Sequence, residues 1–418
     1  MAQLSDDCFA FGGELMRAAE AIRILAERVE PVATPETVPL AVARGRTLAE
    51  DLVAQRDVPP HDNAAVDGYA VYFDDLSTEG ETRLRVAGRV AAGHALDEPA
   101  ERGTAVRIFT GAPMPEGPDT LFMQEDARIE GNEVILPPGI KRGANRRKAG
   151  EDVKAGTTIL KKGQRLRPQD IGLAASVGAA KLSVYNILKV GIFSTGDELR
   201  EPGEKTPPGA IFDANRYVLR ALLDQLGCEV KDFGIVPDRK DQIRQTLSNA
   251  AVTCDAVITS GGMSTGEEDH VRAAVEALGS IHFWRLAIRP GRPVALGHVK
   301  GSPFVGLPGN PVAMMVTFLR FARPVLLRLG GATDIEPRTF RVQADFDTKK
   351  KEGRREWLRA RLLTGPDGIT VAKRFPRDGA GILTSLVESD GLIELAEDVT
   401  NVAAGTMVDF LPFSEVGV

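Results

Sequence analysis

Cysteines, aromatic side chains, long apolar runs and excess positive charge are all scarce in this chain of 418 residues, and each shortage excludes something. The three cysteines, Cys8, Cys228 and Cys254, form neither a CxxC pair nor an even disulfide framework. That argues against a disulfide-stapled fold and a cysteine zinc site, and it suits a reducing, cytoplasmic setting. An aromatic share of 6% beside 43% hydrophobic and 26% charged residues describes folded domains with aliphatic cores. The strongly apolar run Val312 to Leu319 falls far short of the roughly 20 residues that cross a bilayer, so no membrane contact is expected. Residues Met1 to Met16 carry Asp6, Asp7 and Glu14 and lack the basic start and apolar stretch of a secretory leader. A formal charge of -6 excludes broad nucleic-acid binding, which needs a basic face. Any anionic ligand must be held by local donors.

The length predicts roughly three domains. Leu15, Ala18, Ala19, Ile22, Leu25, Ala26 and Val29 recur at helical spacing until Pro31, which predicts an opening helix over 14–29. From 52 to 140 the texture becomes short β-like pieces between Gly and Pro turns, a β-rich unit. The helix expected over 168–178 suggests a return to an earlier domain, which would make the β-unit an insertion. Between 189 and 330 strands and helices alternate. This predicts a mostly parallel, helix-wrapped sheet with ligands at the carboxyl ends of its strands. One strand of it is expected near 281–288. After Ala332 strand-like pieces predict a small β-barrel or sandwich.

Ser260-Gly261-Gly262-Met263-Ser264 follows the apolar strand of 256–259 and precedes a helix. Glycines there let backbone N–H groups converge on phosphate oxygens, although a tight turn would use the same residues. Asp269 follows, with Glu267 and Glu268, where a divalent cation is usually held beside phosphate; helix capping is its other reading. Gly306-Leu307-Pro308-Gly309-Asn310-Pro311 reads as a strand end, an Asn N-cap and a proline at the first helical position. The same geometry aims a positive helix end at the ligand edge. Arg285 and Arg289 fall on one side of an alternating strand and Arg292 follows in a turn, which suits an oxyanion as well as a solvated edge. Asp197, Glu198 and Asp238 end neighbouring strands and converge with Asp269 on one rim, unless they are independent surface acids.

Six segments in order closely resemble the molybdopterin molybdenumtransferases, the MoeA and gephyrin E-domain family. They are Asp62-Asn63 through Asp67-Gly68-Tyr69-Ala70, Thr110-Gly111-Ala112-Pro113, Gly150-Glu151-Asp152, Ser194-Thr195-Gly196-Asp197-Glu198, Ser260-Gly261-Gly262 and Leu307-Pro308-Gly309-Asn310-Pro311. The resemblance implies an α/β multidomain, elongated subunit. Its parts would be a segmented first domain (1–50 plus 149–186), an inserted β-domain (51–148), a MogA-like doubly wound α/β domain (187–331) and a C-terminal β-barrel (332–418). It implies insertion of molybdenum from molybdate into adenylylated molybdopterin with release of AMP, assisted by Mg²⁺, in a homodimer whose site spans both subunits. Contacts with an adenylyltransferase and with cofactor-accepting enzymes are also implied.

Carried over by position, the resemblance assigns Asp67, Thr110 and Asp152 to a cleft completed by the partner subunit. Ser264 and Asp269 would handle the phosphoanhydride, and Glu198 and Asp238 would line the site, with Asp269 and Glu198 as metal ligands. Ser260, Gly261, Gly262, Arg285, Arg289, Arg292, Pro308 and Pro311 would bind substrate, with Arg354 and Ser385 toward molybdate. Two departures stand out: Arg285 and Arg289 where relatives often have lysines, and Ala313 where they often have a hydroxyl residue. The competing expectations are a molybdopterin adenylyltransferase and a non-catalytic molybdopterin carrier or scaffold.

Overall fold

The computed structural model describes residues 15–262, 270–365 and 367–417. The opening helix is Ala18–Arg28. Its stripe of Ala18, Ala21, Ile22 and Leu25 joins the same apolar cluster as Val190, Leu219, Phe318 and Val325. The helix therefore packs on the α/β core, although it precedes the segmented region in the chain.

That region is stitched from two stretches. Strand Pro35–Pro39 pairs antiparallel with Lys181–Tyr185, and Leu52–Val53 pairs with Thr158–Leu160. Val38, Leu48, Leu160, Leu166, Ala174, Leu182 and Val184 form its core. Between the two stretches the chain builds a six-stranded mixed sheet. The strand order is Thr120–Met123, Gly68–Val71, Thr104–Ile108, Thr82–Val90, Glu133–Leu136, Arg128–Glu130. Alternation sends Ala70, Val106, Ile108 and Leu121 to one face and Tyr69, Val71, Ala105 and Phe122 to the other. Both faces are covered, which explains the near-continuous apolar character of these strands.

The central sheet has the order Glu229–Val236, Lys189–Thr195, Ala256–Ser260, Ser302–Leu307, Pro293–Val299, Gly279–Arg285. The first four strands are parallel and the last two close as antiparallel ribbons. Register places Ser194 opposite Ser260 and Ser260 opposite Leu307. The segments beginning at Thr195, Gly261 and Pro308 thus leave the sheet at one edge.

A single strand through 281–288 is not what forms. Gly279–Arg285 stays in the central sheet, whereas Ile288–Arg289 pairs in parallel with Arg355 and Glu356 of the last unit. Leu286 and Ala287 break the run, because the Ala287 N–H turns to the Met16 carbonyl and its own carbonyl accepts from Arg355. Two-residue alternation therefore does not connect Arg285 and Arg289.

The last unit is a closed five-stranded barrel. Strand Arg355–Thr364 pairs through its second half with Thr370–Arg374 and through its first half with Gly391–Leu395. Phe340–Ala344 and Met407–Pro412 complete the ring. One long strand shared by two neighbours closes the edge that a sandwich would leave open. Val342, Leu358, Ala360, Ile393, Val408 and Phe410 fill the interior.

Candidate active site

A cleft of about 700 Å³ opens at the carboxyl edge of the central sheet. Its walls include Thr195, Glu198, Gly261, Gly262, Arg289, Arg292, Pro308, Gly309, Asn310 and Ala313, and Asp378, Gly379 and Ala380 come from the barrel. A smaller hollow continues from it past Asp213, Asn215, Ser260 and Pro311. The edge is where an open α/β sheet collects ligands.

The glycine turn is built for close approach. Gly261 and Gly262 have φ of +91° and +63°, and a Cβ on Gly262 would meet Val271 Cγ2 at 2.5 Å and Thr195 Cγ2 at 2.8 Å. The Gly261 N–H bonds to the Leu307 carbonyl at 3.1 Å. Asn215 ties the two turns together: its Nδ2 donates to Ser260 Oγ at 2.8 Å and to the Gly309 carbonyl at 2.7 Å. Its Oδ1 is buried with no partner among the described residues.

Helix Pro311–Thr317 starts beside the cleft with Asn310 at its N-cap and proline at its first position. Its Val312 N–H donates to the Ala380 carbonyl at 2.9 Å, so the barrel loop is pinned to the helix start. Glu198 and Arg292 are exposed. Asp238 accepts a long hydrogen bond of 3.5 Å from Thr195 Oγ1, and its own N–H is capped by Asp197 Oδ1 at 3.2 Å. Arg289 reaches Glu356 and Asp378, each at 3.5 Å, and is 44% exposed. Both contacts are long; the one to Asp378 is solvated and contributes little stability, whereas the one to Glu356 reaches a buried carboxylate. Burial raises the Asp378 carboxyl, but the Arg374 hydrogen bond and the charges of Arg374, Arg289 and Arg359 outweigh it and hold it below the ordinary value.

Two sequence candidates sit behind the barrel wall of this cleft. Arg354 is committed to Glu356 through Nε at 2.7 Å and Nη2 at 2.6 Å. Ser385 is fully buried, accepts from Arg359 Nε at 3.0 Å and donates to the Ile382 carbonyl at 2.6 Å. Arg359 also donates to the Arg377 carbonyl at 2.9 Å, so it props the loop that forms the wall. Burial pushes its pKa down, opposed by Asp378.

Three others lie elsewhere. Asp67 accepts from the Thr110 N–H at 2.8 Å and from its hydroxyl at 2.7 Å. The Thr110 backbone bond first, then its hydroxyl, hold the Asp67 carboxyl below its usual value. Asp152 is exposed where the chain re-enters the segmented region, its N–H on the Val58 carbonyl. No residue of 51–148 lines the cleft among the described residues. Ser264, Asp269 and the side chain of Arg285 lie outside the described residues.

Asn215, Arg359 and Asp378–Ala380 are absent from the sequence candidates. The Asn that opens helix Asn215–Leu226 and the glycine-rich Arg377-Asp378-Gly379-Ala380-Gly381 are the available signals.

A doubly wound domain with a glycine-lined cleft, closed by a C-terminal barrel and preceded by a β-insertion, defines a multidomain α/β enzyme architecture. Three family models match in order: the MoeA N-terminal region (domain I and II) over 16–178, the family described as "Probable molybdopterin binding domain" over 191–328, and the MoeA C-terminal region (domain IV) over 341–413. The molybdopterin molybdenumtransferase of Haemophilus influenzae is 38% identical over 383 residues, covering 91% of this chain and 94% of its own. That of a Nostoc species is 37% identical over 379 residues, covering 88% and 87%. A crystal structure of the molybdopterin biosynthesis moeA protein from Pyrococcus horikoshii aligns with a TM-score of 0.82 at 31% identity, covering 96% of this chain and all of that one. The chain belongs to the MoeA family of molybdopterin molybdenumtransferases.

Proposed function

We propose that the protein transfers molybdenum from molybdate to adenylylated molybdopterin, releasing AMP and yielding the molybdenum cofactor. The observation that carries this reading is the convergence, on one cleft, of a glycine turn, a helix N-terminus, two exposed arginines and an exposed carboxylate. The glycine turn lets phosphate oxygens approach the backbone closely, and because the Gly261 and Val312 N–H groups are committed to the Leu307 and Ala380 carbonyls, the anionic charge falls to the arginines. Arg289 and Arg292 supply planar forks for an oxyanion and keep it beside the anhydride. Ala313 itself offers no side-chain donor at this wall, so molybdate orientation falls to the arginines with Asn310 and Thr195 nearby.

A cleft bearing an exposed hard-oxygen carboxylate at Glu198, with room for phosphate oxygens and water, fits the way Mg²⁺ is held, by one or two carboxylates plus substrate. Glu198 would hold it with Asp269; among the described residues no group of three acidic, His or Cys ligands forms a closed metal cage. Bound there, the ion would screen the anhydride charge and polarise the bond to AMP. Asp238, held by Thr195 and Asp197, would orient water or substrate hydroxyls at the same rim.

In this reading Asp67, Thr110 and Asp152 complete the site from the partner subunit of a homodimer. The domain boundaries are those drawn from the sequence, apart from the opening helix Ala18–Arg28, which packs with the α/β domain, and the protein works in the cytoplasm beside an adenylyltransferase and cofactor acceptors.

The test is to mix the protein with adenylylated molybdopterin, Mg²⁺ and molybdate and follow AMP. Molybdate-dependent release is expected, and Asp269→Ala or Glu198→Gln should abolish it. Tight ligand binding without release would instead make the protein a carrier. Consumption of ATP with unadenylylated molybdopterin would make it an adenylyltransferase.

A further inference from the structure

A second groove, of about 860 Å³, shares none of its lining with the cleft. It lies between the segmented region, the helix Arg323–Leu329 and the segment 333–338 that leads into the barrel. Seven lysines and arginines line it against three carboxylates, in a chain whose net charge is -6. Of the seven, Arg167 is paired with Asp170 at 3.0 Å. Arg44, Lys161, Lys162, Arg165, Arg323 and Arg338 have no ion pair among the described residues.

A row of surface lysines would mean little, but the floor of this groove is different. Arg165 donates through Nε to the Gly45 carbonyl at 3.0 Å and through Nη2 to the Leu226 carbonyl at 2.8 Å, which anchors it at the C-terminal end of helix Asn215–Leu226. Beside it, Arg323 spends one donor on the Ile335 carbonyl at 3.2 Å, while its Nε is buried without a partner among the described residues. Burial first, then the neighbouring charges of Arg165 and Arg320, push the Arg323 guanidinium down to about 10. Burial likewise lowers Arg165. Asp334 and Glu415 oppose the shift at Arg323 without cancelling it. Two adjacent, largely desolvated cations with unspent donors carry a free-energy cost that a bound anion would relieve.

We propose that this groove is a second anion site that binds a di- or polyphosphate chain. Planar guanidinium forks over a floor with lysines above match phosphate oxygens, and six unpaired cations call for a ligand with several charges. The apolar part of the lining is Leu166, Pro168, Leu327 and Pro337, with no aromatic ring to stack a base. The site therefore recognises the phosphate chain and not a nucleobase.

Titration calorimetry of the full-length protein with inorganic pyrophosphate, at low ionic strength and without divalent cations, tests this. The exposed pair Lys161→Glu/Lys162→Glu should weaken pyrophosphate binding by about tenfold or more, and Arg323→Met should weaken it comparably. Arg292→Ala, which disables only the cleft, should retain a pyrophosphate site that Lys161→Glu/Lys162→Glu weakens. No binding by the unaltered protein at millimolar pyrophosphate overturns the proposal. So does binding that survives Lys161→Glu/Lys162→Glu but is lost in Arg292→Ala, because the cleft would then account for it.

Discussion

Two side chains illustrate opposite uses of charge. Asp67 is solvated, yet the Thr110 N–H and hydroxyl both point at one of its oxygens. Because its folded pKa is depressed, whatever stability the contact contributes is present above the ordinary carboxylate pKa and is lost as pH falls through the lowered one. Thr110→Val removes the hydroxyl donor and keeps the backbone one. A carboxyl titration by NMR should find Asp67 below its ordinary pKa in the native protein and higher in Thr110→Val; an unchanged value would mean the hydroxyl bond does not hold it. Arg323 shows the reverse case. A cation whose folded pKa is lowered costs stability at every pH below that value, here about 10, so a melt at neutral pH reads the whole cost. Arg323→Met in phosphate-free buffer should raise stability by about 1–2 kcal/mol and the Tm by a few degrees. A lower Tm would show that the Ile335 hydrogen bond outweighs the desolvation.

Elements make the site wherever a turn leaves no room for a side chain. Gly262 combines a left-handed backbone with two contacts no Cβ tolerates, so Gly262→Ala should cost about 2 kcal/mol or more and lower molybdate-dependent AMP release with it. A variant with native Tm and native turnover would remove the turn from the site. This turn was legible because a glycine pair between an apolar strand and a helical period is a local pattern. The helix Ala18–Arg28 was legible in the same way, but its partner was not: its stripe says that something is buried, not that the α/β core buries it. Barrel and sandwich stayed open because closure depends on the pairing of both halves of Arg355–Thr364, a long-range choice that alternation does not encode. The far wall of the cleft, Asp378–Ala380, reads locally as an ordinary glycine turn and acquires meaning only when Val312 binds it. Arg289 fell at the cleft as the residue types suggested, although the strand that carries it belongs with the barrel and not with Arg285.

At the scale of the whole molecule, the cleft and the Asp67–Thr110 pair are separate features of one chain, since the described lining of the cleft draws on the α/β and barrel segments alone. If both serve one reaction, a second subunit must bring them together, and symmetry then fixes the result of mixing defects. Take Asp67→Asn in one subunit and Arg292→Ala in the other, each of which should be nearly inactive as a homodimer. In a heterodimer isolated with two different affinity tags, a site shared between subunits distributes the defects unequally. One site receives both substitutions and the other receives neither, so the heterodimer should recover about half of the native AMP release. A site confined within each subunit would leave every site with one defect and the heterodimer as inactive as its parents. A monomer by light scattering at assay concentrations would also remove the shared site. Recovery to about half is the expected result, because the Asp67 carboxylate is held ionised by Thr110 and lies outside the described lining of the cleft in its own subunit.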